Sequence, residues 1–117
     1  MPRATFSALL IAAFLLLPTF THVAAQSVDL VIEVIDKVTR EQLAARIHLK
    51  DGKGKTVKPP KTTFWHDHFV FDGEIALKLR PGKYEYELEC GPEYKLAEGG
   101  FELEKTSNDL HQIEMER

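Results

Sequence analysis

Residues 72–94 read DGEIALKLRPGKYEYELECGPEY and contain two segments in which apolar and polar residues alternate. In the first, apolar residues recur at every second position from Ile75 to Leu79. In the second, they recur from Tyr84 to Cys90, with glutamates between them. A period of two is typical of a half-buried β-strand, and a Pro-Gly pair between the segments is a turn signal. This stretch therefore predicts a β-hairpin.

Outward from this stretch, the same kind of pattern continues in both directions. Short runs rich in β-branched, aromatic and alternating apolar residues are separated by turn signals at a spacing typical of sandwiches. No segment has the apolar period of an amphipathic helix. The sequence predicts an all-β sandwich of about seven strands, at residues 28–35, 45–50, 62–71, 75–79, 84–90, 101–104 and 111–116.

The first 25 residues have the features of a cleavable secretory signal. Arg3 supplies a positive charge, an apolar run extends from Leu9 to Leu17, and small residues precede Gln26. The run is broken by Pro18 and is shorter than the roughly 20 residues that a membrane span needs. We predict a signal peptide at 1–25, a single domain at 26–117, and a secreted or periplasmic product without a membrane span after cleavage.

The charge and the cysteine count exclude some functions and some bonds. The formal net charge is −3, which argues against general nucleic-acid binding. Residues 37–61 carry eight basic and two acidic side chains, whereas residues 84–117 carry three basic and ten acidic ones. Cys90 is the only cysteine, so no internal disulfide can form, and its phase with Tyr84 predicts a buried thiol.

One short segment contains several metal-capable side chains, in the order Trp65-His66-Asp67-His68. If the segment is a strand, His66 and His68 project from the same face and could chelate one ion. A zinc site needs three or four ligands, so His48 or His111 would have to join them. The alternative is a polar segment that binds no metal, and no cofactor is predicted.

Two neighbouring segments are candidates for a binding surface. The segment from residue 50 to residue 61 is predicted to be an exposed, basic loop rich in Gly and Pro, and Trp65 is the aromatic residue beside it expected to be exposed. The lysines that would contact an anionic polymer or an acidic protein are Lys53, Lys55, Lys58 and Lys61.

Three motifs resemble those of carboxypeptidase regulatory-like domains: a strand ending at Asp36, the segment 45–54, and Leu79-Arg80-Pro81-Gly82-Lys83-Tyr84. Residues 72–94 look most like the N-terminal accessory domain of exported bacterial metallohydrolases of the polymerase-and-histidinol-phosphatase type. The resemblance implies a single Greek-key sandwich of the transthyretin type. It carries no catalytic residue to this chain, because the metal ligands of that family lie downstream of the domain.

These observations favour a non-enzymatic, secreted binding or assembly module that contacts another exported protein or a cell-envelope glycan. No nucleophile in a catalytic context and no complete metal-ligand set is found in the sequence. Three alternatives remain: a detached accessory domain of a metal-dependent hydrolase, a small metal-binding protein that uses His66 and His68, and a transthyretin-like oligomer that holds a ligand between its subunits.

Overall fold

The computed structural model describes residue 18, residues 27–106 and residues 108–117. Its strands are, in chain order, β1 Val28–Asp36, β2 Ala44–Asp51, β3 Thr63–Trp65, β4 His68–Asp72, β5 Glu74–Leu79, β6 Gly82–Glu89, β7 Ala97–Leu103 and β8 Asn108–Met115. The described residues contain no helix, which confirms the all-β prediction. In particular, they include no helix of the length and apolarity that a membrane crossing requires.

The strands form two sheets that pack face to face. The smaller sheet has the order β5-β1-β8, and the larger has the order β3-β4-β2-β6-β7. All neighbouring strands are antiparallel except β1 and β8, which run parallel. The predicted signal peptide at 1–25 lies outside the described residues, apart from Pro18.

The core lies between the two sheets and contains the apolar side chains that alternate along each strand. Its largest fully buried members are Phe69, Leu30, Ile32, Ile47, Leu49, Leu88, Met115 and Val34. Because side chains on a strand point to opposite faces in turn, each strand contributes one apolar face to this layer. The residues between them form the outer faces of the sandwich.

The predicted hairpin at residues 72–94 is wrong in its pairing, although its two strands exist. β5 pairs with β1, whereas β6 pairs with β2 and β7, so the Pro-Gly connection carries the chain from one sheet to the other. Alternation reports which face of a strand is buried, and both strands bury a face in the same core. It does not report which sheet a strand joins.

The strand count also differs, since residues 62–71 form two strands where one was predicted. β3 and β4 pair as a hairpin, with Thr63 opposite Val70 and Trp65 opposite His68. His66, in the two-residue connection between them, has a φ of 54°. Tight hairpin connections need such a positive φ. The sandwich therefore has eight strands among the described residues.

Tyr84 lies shortly after the Pro-Gly turn, near the start of β6. Its side chain is buried, and its hydroxyl donates a hydrogen bond to the Arg80 carbonyl over 2.6 Å. The aromatic ring stacks on Phe101, with ring centroids 5.3 Å apart. The hydrogen bond ties the start of β6 to the connection from β5, and so fixes the crossing between the sheets.

Candidate functional site

The outer face of the larger sheet carries the polar side chains of β2, β4 and β6. His48 lies opposite Glu87 across the pairing of β2 and β6, and Glu87 lies opposite Glu98 on β7. On the other side of β2, His68 pairs with Trp65. These side chains face away from the core because the apolar residues that alternate with them, such as Ile47 and Leu49 in β2, occupy the inner face.

Two imidazoles and one carboxylate meet at this face. Asp67 Oδ1 lies 3.0 Å from His68 Nδ1, and Asp67 Oδ2 lies 3.5 Å from His48 Nδ1. The two imidazole centroids are 5.1 Å apart. One ligand atom from each of the three residues lies within 4.8 Å of the other two. We call His48, Asp67 and His68 the imidazole cluster.

The backbone places each member of the imidazole cluster differently. His48 lies in β2, which has neighbours on both sides, and His68 is the first residue of β4. Asp67 lies in the connection between β3 and β4, immediately before His68. Two ring positions are therefore set by the sheet, and the carboxylate position is set by a tight turn.

The electrostatics of the imidazole cluster favour an ionised carboxylate. The hydrogen bond from His68 lowers the pKa of Asp67, and the nearby His48 lowers it further. The imidazoles are mostly covered, with 24% of the His48 side chain and 16% of the His68 side chain exposed, whereas Asp67 is 63% exposed. The ionised Asp67 carboxylate therefore lies beside one nitrogen of each of two largely buried imidazoles, those of His48 and His68.

The sequence predicted that His66 and His68 chelate one ion together, but the structure places His66 outside the imidazole cluster. His66 is exposed, lies in the connection rather than in a strand, and packs edge-on against Trp65 with centroids 4.7 Å apart. His48, which the sequence offered only as a possible additional ligand, lies beside His68 instead. His111 lies on β8, with its Nε2 atom 3.2 Å from the Tyr86 hydroxyl.

Trp65 confirms the prediction that it is exposed. It is 67% exposed on the short edge strand β3, next to the imidazole cluster. The other aromatic residue of that strand, Phe64, lies opposite the buried Phe69 and packs against the core. The strand therefore has one aromatic residue on each face of the sheet.

The basic segment between β2 and β3 is only partly a free loop. The Val57 N–H donates to the Leu49 carbonyl over 2.8 Å, Thr56 forms a bridge with Lys50, and Pro59 is buried. The four lysines of the predicted binding surface, Lys53, Lys55, Lys58 and Lys61, are all exposed. The segment thus holds its backbone against β2 and presents its lysines outward.

These lysines lie near other groups in two places. The Lys58 ammonium lies 5.3 Å from the centre of the Phe64 ring, which anchors that side chain beside β3. Lys53 lines a depression of about 390 Å³ together with Arg80 and Lys83. In contrast, the basic residues of β2 face the glutamates of β6, as in the 3.6 Å pair between Arg46 and Glu89.

Cys90 follows β6 and is partly buried against the core, whereas its phase predicted a buried thiol. Burial raises the pKa of its thiol to about 11, so the thiolate form is rare at neutral pH. The residue lines a depression of about 660 Å³ that also includes Ala44, Val70 and Phe71. Its environment is that of a structural thiol rather than a nucleophile.

No protein-family model matches this chain, and no curated protein matches it significantly. Function is therefore inferred from the chemistry of the surface: the imidazole cluster, the exposed indole of Trp65 and the lysines of the basic segment.

Proposed function

We propose that this chain is an exported, non-catalytic binding or assembly module whose partner is an acidic exported protein or an acidic cell-envelope glycan. The observation that carries the proposal is the exposed indole of Trp65 on a paired strand, which follows the exposed lysines of the segment 50–61 closely in sequence. Exposed aromatic rings and surface cations are the groups that recognise sugars and acidic chains.

Trp65 supplies the apolar part of this surface. Large exposed aromatics on a rigid element are enriched where proteins bind partners, because they bury a large area at a small entropic cost. Strand pairing fixes the Trp65 backbone against β4, and His66 packs on the indole ring. The ring is therefore held in place before a partner arrives.

The lysines supply the charge. Lys53 and Lys55 lie in a turn whose backbone N–H groups donate to the Asp51 carboxylate over 2.9 and 3.0 Å. These hydrogen bonds hold the turn while both ammonium groups point into solvent. An acidic partner is favoured because fixed cations at the surface accelerate encounter and set orientation.

A non-catalytic role is supported by the side chains that could act as nucleophiles. The Cys90 thiol has a pKa raised to about 11, and the Tyr84 hydroxyl already donates to a backbone carbonyl. Neither side chain is therefore activated as a nucleophile at neutral pH.

We further propose that the two sheets belong to the carboxypeptidase regulatory-like group, with a transthyretin-like Greek-key topology, and that residues 1–25 direct export. In that case the module would act beside a separate catalytic or structural protein. The motif at Leu79–Tyr84 supports this, because its tyrosine makes the backbone hydrogen bond described above.

The test compares binding by the native protein and by two fourfold variants of equal charge. In the first variant Lys53, Lys55, Lys58 and Lys61 become Ser; in the control, Lys37, Lys78, Lys95 and Lys105 become Ser. The probes are polygalacturonate, neutral dextran, and an acidic partner recovered from the exported fraction. We expect the first variant to bind the acidic probe at least about tenfold more weakly, with a flatter salt dependence.

A Trp65→Ala variant should weaken the same binding at every salt concentration, since it removes contact area rather than charge. Equal losses in the two lysine variants would mean that net charge alone attracts the probe. Unchanged binding in the first variant and in Trp65→Ala would overturn the proposal.

A further inference from the structure

We propose that the imidazole cluster, His48, Asp67 and His68, binds one zinc ion on the outer face of the larger sheet. One ligand atom from each residue lies within 4.8 Å of the other two, and the two Asp67 oxygens lie 3.0 Å from His68 Nδ1 and 3.5 Å from His48 Nδ1. This inference does not depend on the lysine surface or on any partner.

The separations match those around a tetrahedral ion. With ligand bonds of about 2.0 to 2.1 Å, neighbouring ligand atoms on zinc are about 3.3 Å apart. The two distances, one to each Asp67 oxygen, fall on either side of this value. No two of the three ligand atoms are more than 4.8 Å apart, so rotation of the imidazoles needs to close a gap of at most about 1.5 Å.

The two imidazoles are held in place before the metal arrives. β2 has β4 on one side and β6 on the other, so the backbones of His48 on β2 and His68 on β4 are both held by strand pairing. Both rings are mostly covered, and they pack against each other. A site on paired strands loses little conformational freedom when it binds an ion.

The donor set fits zinc better than it fits calcium or magnesium. Two imidazole nitrogens and one carboxylate oxygen suit a borderline metal, whereas calcium and magnesium take oxygen ligands. Three protein ligands leave a fourth position, which water or an outside donor would fill. Glu87, opposite His48 on β6, is the nearest acidic residue in the strand register.

The experiment is a zinc titration of the purified native protein, followed by calorimetry, with cobalt absorption as a second readout of coordination. We expect one ion per chain and a higher melting temperature with zinc. The variants His48→Gln and Asp67→Ala should each lower zinc affinity at least about 100-fold, because each removes a direct ligand.

Two control variants separate this site from the pair that the sequence predicted. His66→Asn keeps a residue that tolerates positive φ, and His111→Gln changes the histidine on the other sheet; both should keep native affinity. Circular dichroism without metal checks that every variant is folded.

Three outcomes would overturn the inference. Absence of saturable binding would show that Asp67 only hydrogen-bonds the two rings. Loss of binding in His66→Asn with full binding in His48→Gln would place the ion on His66 and His68. A stoichiometry above one, insensitive to both His48→Gln and Asp67→Ala, would indicate scattered surface binding. Since no partner is used, each outcome is independent of the lysine experiment.

Discussion

Asp36 shows how one side chain can organise several parts of the chain. One oxygen of its carboxylate accepts the N–H groups of Val38 and Thr39 over 2.8 and 2.9 Å, and the other accepts the Tyr94 hydroxyl over 2.7 Å. The guanidinium of Arg117 lies 3.5 Å away. These hydrogen bonds, that of Thr39 above all, lower the pKa of Asp36 to about 2.

The lowered pKa of Asp36 predicts how the stability of the protein depends on pH. Because its pKa is lower in the folded state than in the unfolded chain, its stabilising effect is complete above about pH 4 and is lost as the pH falls toward 2. We expect Asp36→Asn to lower the melting temperature by on the order of 5 °C at pH 7. The difference from the native protein should shrink steadily below about pH 4.

The control is Asp29→Asn, at an exposed position on the same strand, which should change stability little at any pH. If Asp36→Asn lowers the melting temperature by the same amount at pH 3 and at pH 7, the stabilising effect does not come from the ionised Asp36 carboxylate.

At the scale of the elements, the connection from β4 to β5 requires glycine at position 73. Gly73 has a φ of 77°, its N–H donates to the Leu43 carbonyl, and its carbonyl accepts the Val34 N–H. A Cβ atom there would lie 2.5 Å from Gln42 Oε1 and 2.9 Å from Gln42 Cβ. The chain changes sheets at this point, so the turn lies between both layers.

We predict that Gly73→Ala destabilises the protein by about 2–3 kcal/mol, through left-handed strain and the contact with Gln42. Gly54→Ala separates the two causes, because Gly54 has a φ of 78° with nothing within 4 Å of an added Cβ. That control should cost only about 1 kcal/mol. Equal losses in urea unfolding would show that the contact with Gln42 is relieved without cost.

For the whole molecule, stability depends on the single layer of side chains between the sheets. Phe69 is the largest fully buried residue, and it comes from β4 near one edge of the larger sheet. The neighbouring Val70 is 42% exposed on the outer face. Two adjacent residues therefore differ greatly in burial because the strand alternates.

Phe69→Ala should lower the free energy of unfolding by about 3–5 kcal/mol, a large share of what a domain of this size possesses. Val70→Ala, the matched control, should change it by only about 0.5 kcal/mol. Denaturant unfolding measures both, and a similar effect of the two substitutions would contradict the burial described here.

Local patterns in the sequence account for the strands and for several single residues. Alternation along residues 75–79 and 84–90 identified two strands correctly, and the position of Trp65 beside the histidines and the basic segment identified it as exposed. These features depend on a few neighbouring residues, so the sequence contains them.

Pairing between distant strands decided the rest. β5 and β6 lie in different sheets despite their short connection, and His48 lies beside His68 because β2 and β4 are neighbours. Many pairings satisfy the same alternation, and the choice among them depends on how all the buried faces fit together. By itself the sequence determined most of the strands, their buried faces and the exposed Trp65, whereas only the tertiary structure determined the division of residues 62–71, the two sheets and the imidazole cluster.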